Sequence, residues 1–370
     1  MSHYIYQEAD WPEFNWDSEA ISLPLAAAHH RQGRLFGRME SLGFPQRDAA
    51  VLGTLTSDVL KSSEIEGELL DPRQVRSSIA RRLGMEIAGM LPADRRVDGV
   101  VEMALEAAQN YDKPLTRERL FRWHTLLFPP EAGGAAGITA GAWRGDAKGP
   151  MQVVSGAIGR ERVHYQAPAA DSLPAEMDAF LKWANRTGDE DPLLKAAVAH
   201  LWFVTLHPFD DGNGRIARAI ADWALARAEA SPSRFYSMSA QIRKERGRYY
   251  SILEQTQKGG LDITEWLSWF LGCLDRAIED AENSLSAVFR KDRFWKTYAS
   301  CELNGRQRLM INKLLDGFTG KLTSSKWSKI AGCSQDTAQR DLTDLIAKGI
   351  LRKDSPGGRS TSYSPLWPQL

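Results

Sequence analysis

Twelve consecutive residues, His207 to Arg218, concentrate the chemistry of this chain: His-Pro-Phe-Asp-Asp-Gly-Asn-Gly-Arg-Ile-Ala-Arg. His207 can take up a proton near neutral pH. Asp211 is a hard oxygen ligand, and nucleotide-bound Mg²⁺ typically takes only one or two protein carboxylates. Gly212, Asn213 and Gly214 tolerate positive φ and can shape a small anion-binding turn. Arg215 and Arg218 lie three apart, so on a helix they are neighbours, each offering phosphate a planar fork of donors. Taken singly, a Gly-Asn-Gly is a turn and an Arg-x-x-Arg a solvated face. Together within twelve residues they are the groups needed to hold a nucleoside triphosphate beside a hydroxyl nucleophile.

Local sequence dictates how these groups are presented. Ala196 to Leu206 is apolar and free of Pro and Gly, which predicts a buried helix. His207-Pro208 ends it, because proline disfavours the α conformation of the residue before it. Asp210 to Gly214 is then a loop, and a second helix starts at Asn213 or Gly214 and runs to Arg227. A glycine-rich loop opening into a helix N-terminus gathers free backbone N–H groups and the positive end of the dipole, where phosphate binds readily. Upstream, Leu52, Leu55 and Val59 recur at helical spacing, and Ser62 and Glu66 extend that stripe. Gly67 is a helix stop.

The pattern His-x-Phe-x-Asp-Gly-Asn-Gly-Arg-x-x-Arg resembles the signature of the Fic (filamentation induced by cAMP) family at every defined position. The resemblance implies a helical core and transfer of AMP from ATP to a Ser, Thr or Tyr hydroxyl of a protein. It makes His207 the general base and Asp211 the Mg²⁺ ligand. Gly212, Asn213 and Gly214 become the anion hole, with Arg215 on the phosphates and Arg218 on the γ-phosphate. Phe209 becomes a core anchor. Ser62-Ser63-Glu64-Ile65-Glu66-Gly67 is similar to the family's self-inhibitory helix, Ser/Thr-x-x-x-Glu-Gly/Asn. A glutamate beside Arg218 would occupy the guanidinium that the γ-phosphate needs. Its place before the catalytic motif resembles the class with an N-terminal inhibitory helix.

The expected fold class is mainly α: a Fic helical core with a small β-hairpin flap, plus a C-terminal winged helix-turn-helix. Residues 1–95 read as an N-terminal helical region bearing the inhibitory helix. Residues 96–280 read as the catalytic core, 281–304 as a helical linker and 305–370 as the winged helix domain. Helices are expected over about Ser18–Leu42 and Pro45–Glu66, with an aromatic loop, Trp11 to Asp17, packed on the core. Thr116 caps another helix, on which His124, a lone histidine among apolar neighbours, is structural. Met151 to Tyr165 reads as a hairpin. In Fic proteins such a flap aligns the target backbone by strand addition. Tyr250 is the candidate for the adenine pocket. Gln257 is the companion candidate, standing where relatives commonly carry Asn.

At the C-terminus, Arg306–Asp316, Ser324–Cys333 and a Ser334-capped helix to Leu345 precede Ile350–Tyr363, with Pro356-Gly357-Gly358-Arg359 suited to a wing. Over 306–370, eleven Lys or Arg stand against five Asp or Glu. A basic winged helix suggests DNA. Its second helix, however, carries Asp336, Asp341 and Asp344 against one arginine, Arg340, so phosphate would be repelled along part of that face. Dimerisation or target docking is therefore favoured over DNA.

The chain is formally neutral, with three scattered cysteines, Cys273, Cys301 and Cys333, at no metal-ligand spacing. No secretory signal pattern or run of about 18 apolar residues occurs, so a cytoplasmic protein without membrane contact is expected. The functional expectation is an ATP- and Mg²⁺-dependent protein adenylyltransferase acting on a protein hydroxyl and restrained by Glu66. Two alternatives share the site: Glu66 orienting a water to remove AMP as well, or transfer from another donor (phosphocholine or phosphate). A third makes the chain a DNA-binding regulator with a nucleotide-sensing core.

Overall fold

A computed structural model of the chain describes residues 3–129, 137–147, 149–156, 160, 162–188, 190–315, 317–354 and 361–366. It is mainly helical, in two compact units: Met1–Glu40 with Arg47–Ala281, and Ser41–Gln46 with Glu282–Leu370. The regions 1–95 and 96–280 therefore pack largely as one unit, and residues 281–297 of the segment expected as a linker are the end of a long helix.

The first unit is organised by the helix pair α7 (Pro192–Leu206) and α8 (Asn213–Glu229). Asp191 caps α7 through the Leu193 N–H, and Pro192 opens its first turn. Every residue from Ala196 to Leu206 is buried, as an all-round apolar helix must be. Helix α4 (Arg95–Gln109) packs on α8 and on α5 (Arg117–Leu127), and α3 (Pro72–Arg82) packs on α4. The predicted N-terminal helices are α1 (Ser18–Glu40) and α2 (Phe44–Ile65), each one or two residues shorter at the C-terminal end than the sequence suggests. Thr116 caps α5 through the Arg119 N–H, as expected.

Trp11 and Phe14 of the aromatic loop meet Trp202 of α7 edge-on, at 6.0 and 5.8 Å between ring centres. Strands β1 (Gln152–Ser155) and β2 (Arg162–Gln166) form an antiparallel hairpin with an irregularity between Val153 and Val154. Residues 157–159 of its turn lie outside the described residues. Tyr165 pins the hairpin to the core: it is buried, and its hydroxyl donates to the Thr205 carbonyl of α7 at 2.6 Å. Helices α6 (Leu173–Asn185), α9 (Met238–Lys244), α10 (Arg246–Gln257) and α11 (Thr264–Thr297) complete the run.

The second unit holds α12 (Gly305–Leu315), α13 (Ser324–Ala331) and α14 (Gln335–Ala347), then an antiparallel pair, β3 (Leu351–Lys353) and β4 (Tyr363–Pro365). Trp327, Met310, Leu342 and Leu345 centre its core. Ser334 caps α14 as expected. The expected wing turn, Pro356 to Arg359, lies outside the described residues. One expectation is corrected here. Asp341 does not lie on an exposed acidic face: it is 5% exposed and accepts from Arg306 Nε at 2.8 Å and Asn304 Nδ2 at 2.9 Å. Asp344 accepts from Gln307 Nε2 at 2.7 Å and Lys348 Nζ at 2.6 Å. A carboxylate turned inward, as Asp341 is, must find donors; Asp344, with a side chain 46% exposed, is paired at the surface.

Among the described residues, no helix is long and apolar enough to cross a membrane.

Candidate active site

The site is built on the α7–α8 connection. Helix α7 stops at His207, which adopts φ 49° and ψ 54°. This left-handed conformation is strained for a side chain of that size, and neighbouring hydrogen bonds hold it. The His207 N–H donates to the Phe203 carbonyl at 3.1 Å. Its carbonyl accepts from Arg144 Nε at 2.8 Å. Arg144, buried, also donates through Nη2 to the Pro168 carbonyl at 2.6 Å and through Nη1 to Asp146 at 2.8 Å, while its backbone N–H reaches the Pro208 carbonyl at 2.9 Å.

His207 Nδ1 lies 3.3 Å from the Val204 carbonyl. A carbonyl only accepts, so Nδ1 carries the hydrogen and Nε2 keeps its lone pair. Burial pushes the imidazole down to about 4; the Val204 carbonyl opposes this shift and the Arg144 charge adds to it. The ring is a neutral base at physiological pH.

The loop that follows is braced from two sides. Phe209 is fully buried, and its N–H and carbonyl pair with the Asn213 side chain at 2.9 and 2.8 Å. His124 stacks on Phe209 at 4.2 Å. It accepts from the Gly141 N–H at Nδ1 (3.1 Å) and donates from Nε2 to the Asp211 carbonyl (3.2 Å). Burial pushes it down to about 4. Neutral and doubly bonded, it is a structural brace. Gly212 has φ +77°, and a Cβ there would meet Phe128 at 2.9 Å, so any side chain at this position is strained.

No side chain caps α8, and the Ile216 N–H is the first to find a helical acceptor, at Gly212. The N–H groups of Asn213, Gly214 and Arg215 therefore precede the intrahelical ladder at the positive end of the dipole. Arg215 and Arg218 are buried, and Arg215 Nε and Arg218 Nη1 have no hydrogen-bond partner among the described residues. Uncapped N–H groups with orphaned guanidinium donors fit an anion.

The predicted upstream partners meet this cradle. Arg218 Nε donates to Ser62 Oγ at 2.9 Å, and Nη2 donates to the Ser62 carbonyl at 2.9 Å and to Glu66 Oε1 at 2.8 Å. A side chain on Gly214 would collide with the Glu66 carboxylate. Burial raises the Glu66 pKa, but the Arg218 charge and hydrogen bond, with Arg215 and Arg246, hold it below the usual range.

Asp211 is exposed and accepts from the Gly212 N–H at 2.6 Å. Among the described residues no group of three or more His, Cys, Asp or Glu gathers as a metal site. A single exposed carboxylate at the mouth of an anion cradle suits a cation that arrives on phosphate.

Tyr250 is 37% exposed, with the Arg246 guanidinium 5.1 Å from its ring centre. Gln257, two turns on, is buried and donates to Thr205 Oγ1 at 3.4 Å. The structure thus leaves Tyr250 partly exposed beside Arg246 and Tyr249 and turns Gln257 into α7.

Sequence reasoning passed over Arg144, which no periodicity marks, and Glu68, whose Oε2 accepts from Arg215 Nη1 at 2.7 Å. The only signal for Glu68 was its place two residues after Glu66, across a glycine. It also passed over Glu254, which receives His164 Nδ1 at 2.6 Å and Arg162 Nη2 at 3.1 Å and so ties the hairpin to α10.

Residues 114–225 match the model of the Fic/DOC family, and residues 4–85 match a domain of unknown function (DUF4172). The chain thus carries a Fic/DOC family domain over residues 114–225. A protein adenylyltransferase Fic from Nematostella vectensis is 34% identical over 116 residues, which cover 30% of this chain and 25% of that protein. The namesake from Drosophila melanogaster is 29% identical over 114 residues, covering 30% and 22%. The chain thus spans about a quarter of the length of these curated relatives. The crystal structure of a Fic family protein from Desulfovibrio desulfuricans superposes with a TM-score of 0.55 at 21% identity, over 96% of this chain and 98% of that one. It shares the fold of this chain.

Proposed function

We propose that this Fic-domain protein transfers AMP from ATP to a Ser, Thr or Tyr hydroxyl of a protein, and that Glu66 restrains the reaction. One observation carries the reading: a neutral histidine base stands at the end of α7, and six residues on begins an uncapped helix bearing two buried arginines. The α8 N–H groups with Arg215 and Arg218 cradle the phosphates. The hydroxyl oxygen of the target bonds to the α-phosphorus, the bond to pyrophosphate breaks, and His207 Nε2 takes the hydroxyl proton. Asp211 would hold Mg²⁺, which supplies charge neutralisation on the phosphates when bound. Fixed donors and positioning supply most of the acceleration. The hairpin β1–β2 offers strand edges to a target segment, and Tyr250 a stacking face to the base. The Glu66–Arg218 pair withholds the donor that the γ-phosphate needs.

Incubation with α-labelled ATP and candidate proteins tests this. His207→Ala is expected to lose about 10²–10⁴ in transfer rate while keeping ATP affinity, as removal of a general base does. Glu66→Gly is expected to raise labelling, self-labelling included, and Arg218→Ala to abolish that gain. Transfer by His207→Ala at the normal rate would overturn the assignment.

A further inference from the structure

Helix α2 ends in a left-handed turn that aims two carboxylates, not one, at the cradle. The Gly67 N–H donates to the Glu64 carbonyl at 3.1 Å and the Glu68 N–H to the Ser63 carbonyl at 3.0 Å, with Gly67 at φ +84°. This is the Schellman closure, in which the chain folds back over the last turn. Glu66, in the last turn, reaches Arg218. Glu68, just beyond the glycine, returns toward the same helix and reaches Arg215, with Oε2 2.7 Å from Nη1. Both motif arginines are therefore held at once by carboxylates two residues apart. Their side chains are 5% and 3% exposed, so neither guanidinium can exchange its partner for water without cost. Glu68 makes a second direct ion pair where Glu66 pairs with Arg218: its Oε1 pairs with Arg96 of α4, whose side chain is 52% exposed.

We propose that Glu68 is a second gate, displaced by the nucleotide: it competes with phosphate for Arg215 as Glu66 competes for Arg218, and it keeps Arg96 alone when phosphate arrives. The proposal rests on the nucleotide reading given above. Arg96 makes the exchange inexpensive, because the released carboxylate keeps an ion pair. The two gates differ in what opens them. Arg218 serves the γ-phosphate, so Glu66 penalises triphosphates. Arg215 is assigned to the phosphates as a group and not to the γ-phosphate alone, so Glu68 penalises diphosphates and triphosphates alike. Together they set which polyphosphate length can enter.

The test is calorimetric titration of the full chain with ATP and with ADP. Glu66→Gly should tighten ATP and leave ADP unchanged. Glu68→Gln should tighten both, by about 3- to 10-fold, the scale of one partly exposed ion pair. Arg96→Ala should do the opposite and weaken both severalfold, because Glu68 then has Arg215 as its sole partner. A purely structural Glu68 cannot produce this opposed pair of signs. The proposal is overturned if Glu68→Gln leaves both affinities within twofold, or weakens them, while Arg215→Ala weakens both. If Arg215→Ala also leaves both unchanged, the nucleotide reading of the cradle fails and the gate falls with it. Melting curves confirm that each variant is folded, and the exposed Arg96 keeps the test available should Glu68→Gln not fold.

Discussion

Replacing Arg144 by methionine keeps the length of the side chain and removes its charge and donors. Three hydrogen bonds disappear: to the His207 carbonyl (2.8 Å), the Pro168 carbonyl (2.6 Å) and Asp146 (2.8 Å). Hydrogen bonds from charged groups contribute about 1.5–3 kcal/mol each, but removing the guanidinium also removes its own burial penalty. A net loss of about 3–5 kcal/mol follows, or a fall in Tm on the order of 10 °C. The catalytic effect should exceed what stability explains. A left-handed non-glycine residue stores about 1–3 kcal/mol, and without Arg144 the His207 peptide is free to relax. A displacement of about 1 Å at a catalytic group can cost on the order of 100-fold. Transfer measured below the variant's melting range should therefore drop about 100-fold. ATP affinity should hold within about threefold, since the α8 N–H groups, Arg215 and Arg218 are untouched. The pH profile supplies a second readout. Arg144 depresses the His207 pKa, so the acid limb of kcat/KM should move to higher pH in Arg144→Met. In Arg144→Lys it should move less, because the charge remains. The reasoning is refuted if Arg144→Met transfers AMP within threefold of the unaltered protein, or if it loses ATP affinity in proportion to rate.

Three further outcomes are expected. In the unaltered protein the base acts in its neutral form and its folded pKa is about 4, so kcat/KM should be lost only as pH falls through about 4; an acid limb near the ordinary histidine value of about 6.5 would contradict this. Gly212→Ala combines a φ of +77° with a Cβ pressed on Phe128, so it should lower stability by about 1–2 kcal/mol or more and weaken ATP binding; an unchanged melting curve would show that the loop accommodates a side chain. A fragment of residues 282–370 contains its whole core, Phe294 to Tyr363, and should melt cooperatively. The sequence-based expectation that this C-terminal unit docks partners predicts no sequence-selective duplex binding at physiological salt. Tight, salt-dependent binding that is lost in Arg340→Ala would make DNA the partner.

Much of the site was legible because its determinants are local. Proline at 208 stops α7 whatever surrounds it, Gly212 supplies the positive φ, and the apolar run before His207 marks a central helix. Arginines at 215 and 218 share a helical face by periodicity alone. Ser62 and Glu66 were singled out by the resemblance to the inhibitory-helix pattern, and the helical stripe put them on one side.

What the sequence could not determine is which polar groups meet across the fold. Arg144 stands 63 residues before His207, and no spacing rule joins them. Glu68 reads as a charge past a helix stop until the turn at Gly67 brings it onto Arg215. Asp341 reads as a repelling surface charge until the packing of α12 supplies Arg306, and Gln257 reads as a base contact until α10 turns it toward Thr205. Hydrophobic periodicity reports which face of a helix is buried. The partner of a buried polar side chain depends on what the neighbouring helices bring within about 3 Å, and only tertiary packing decides that.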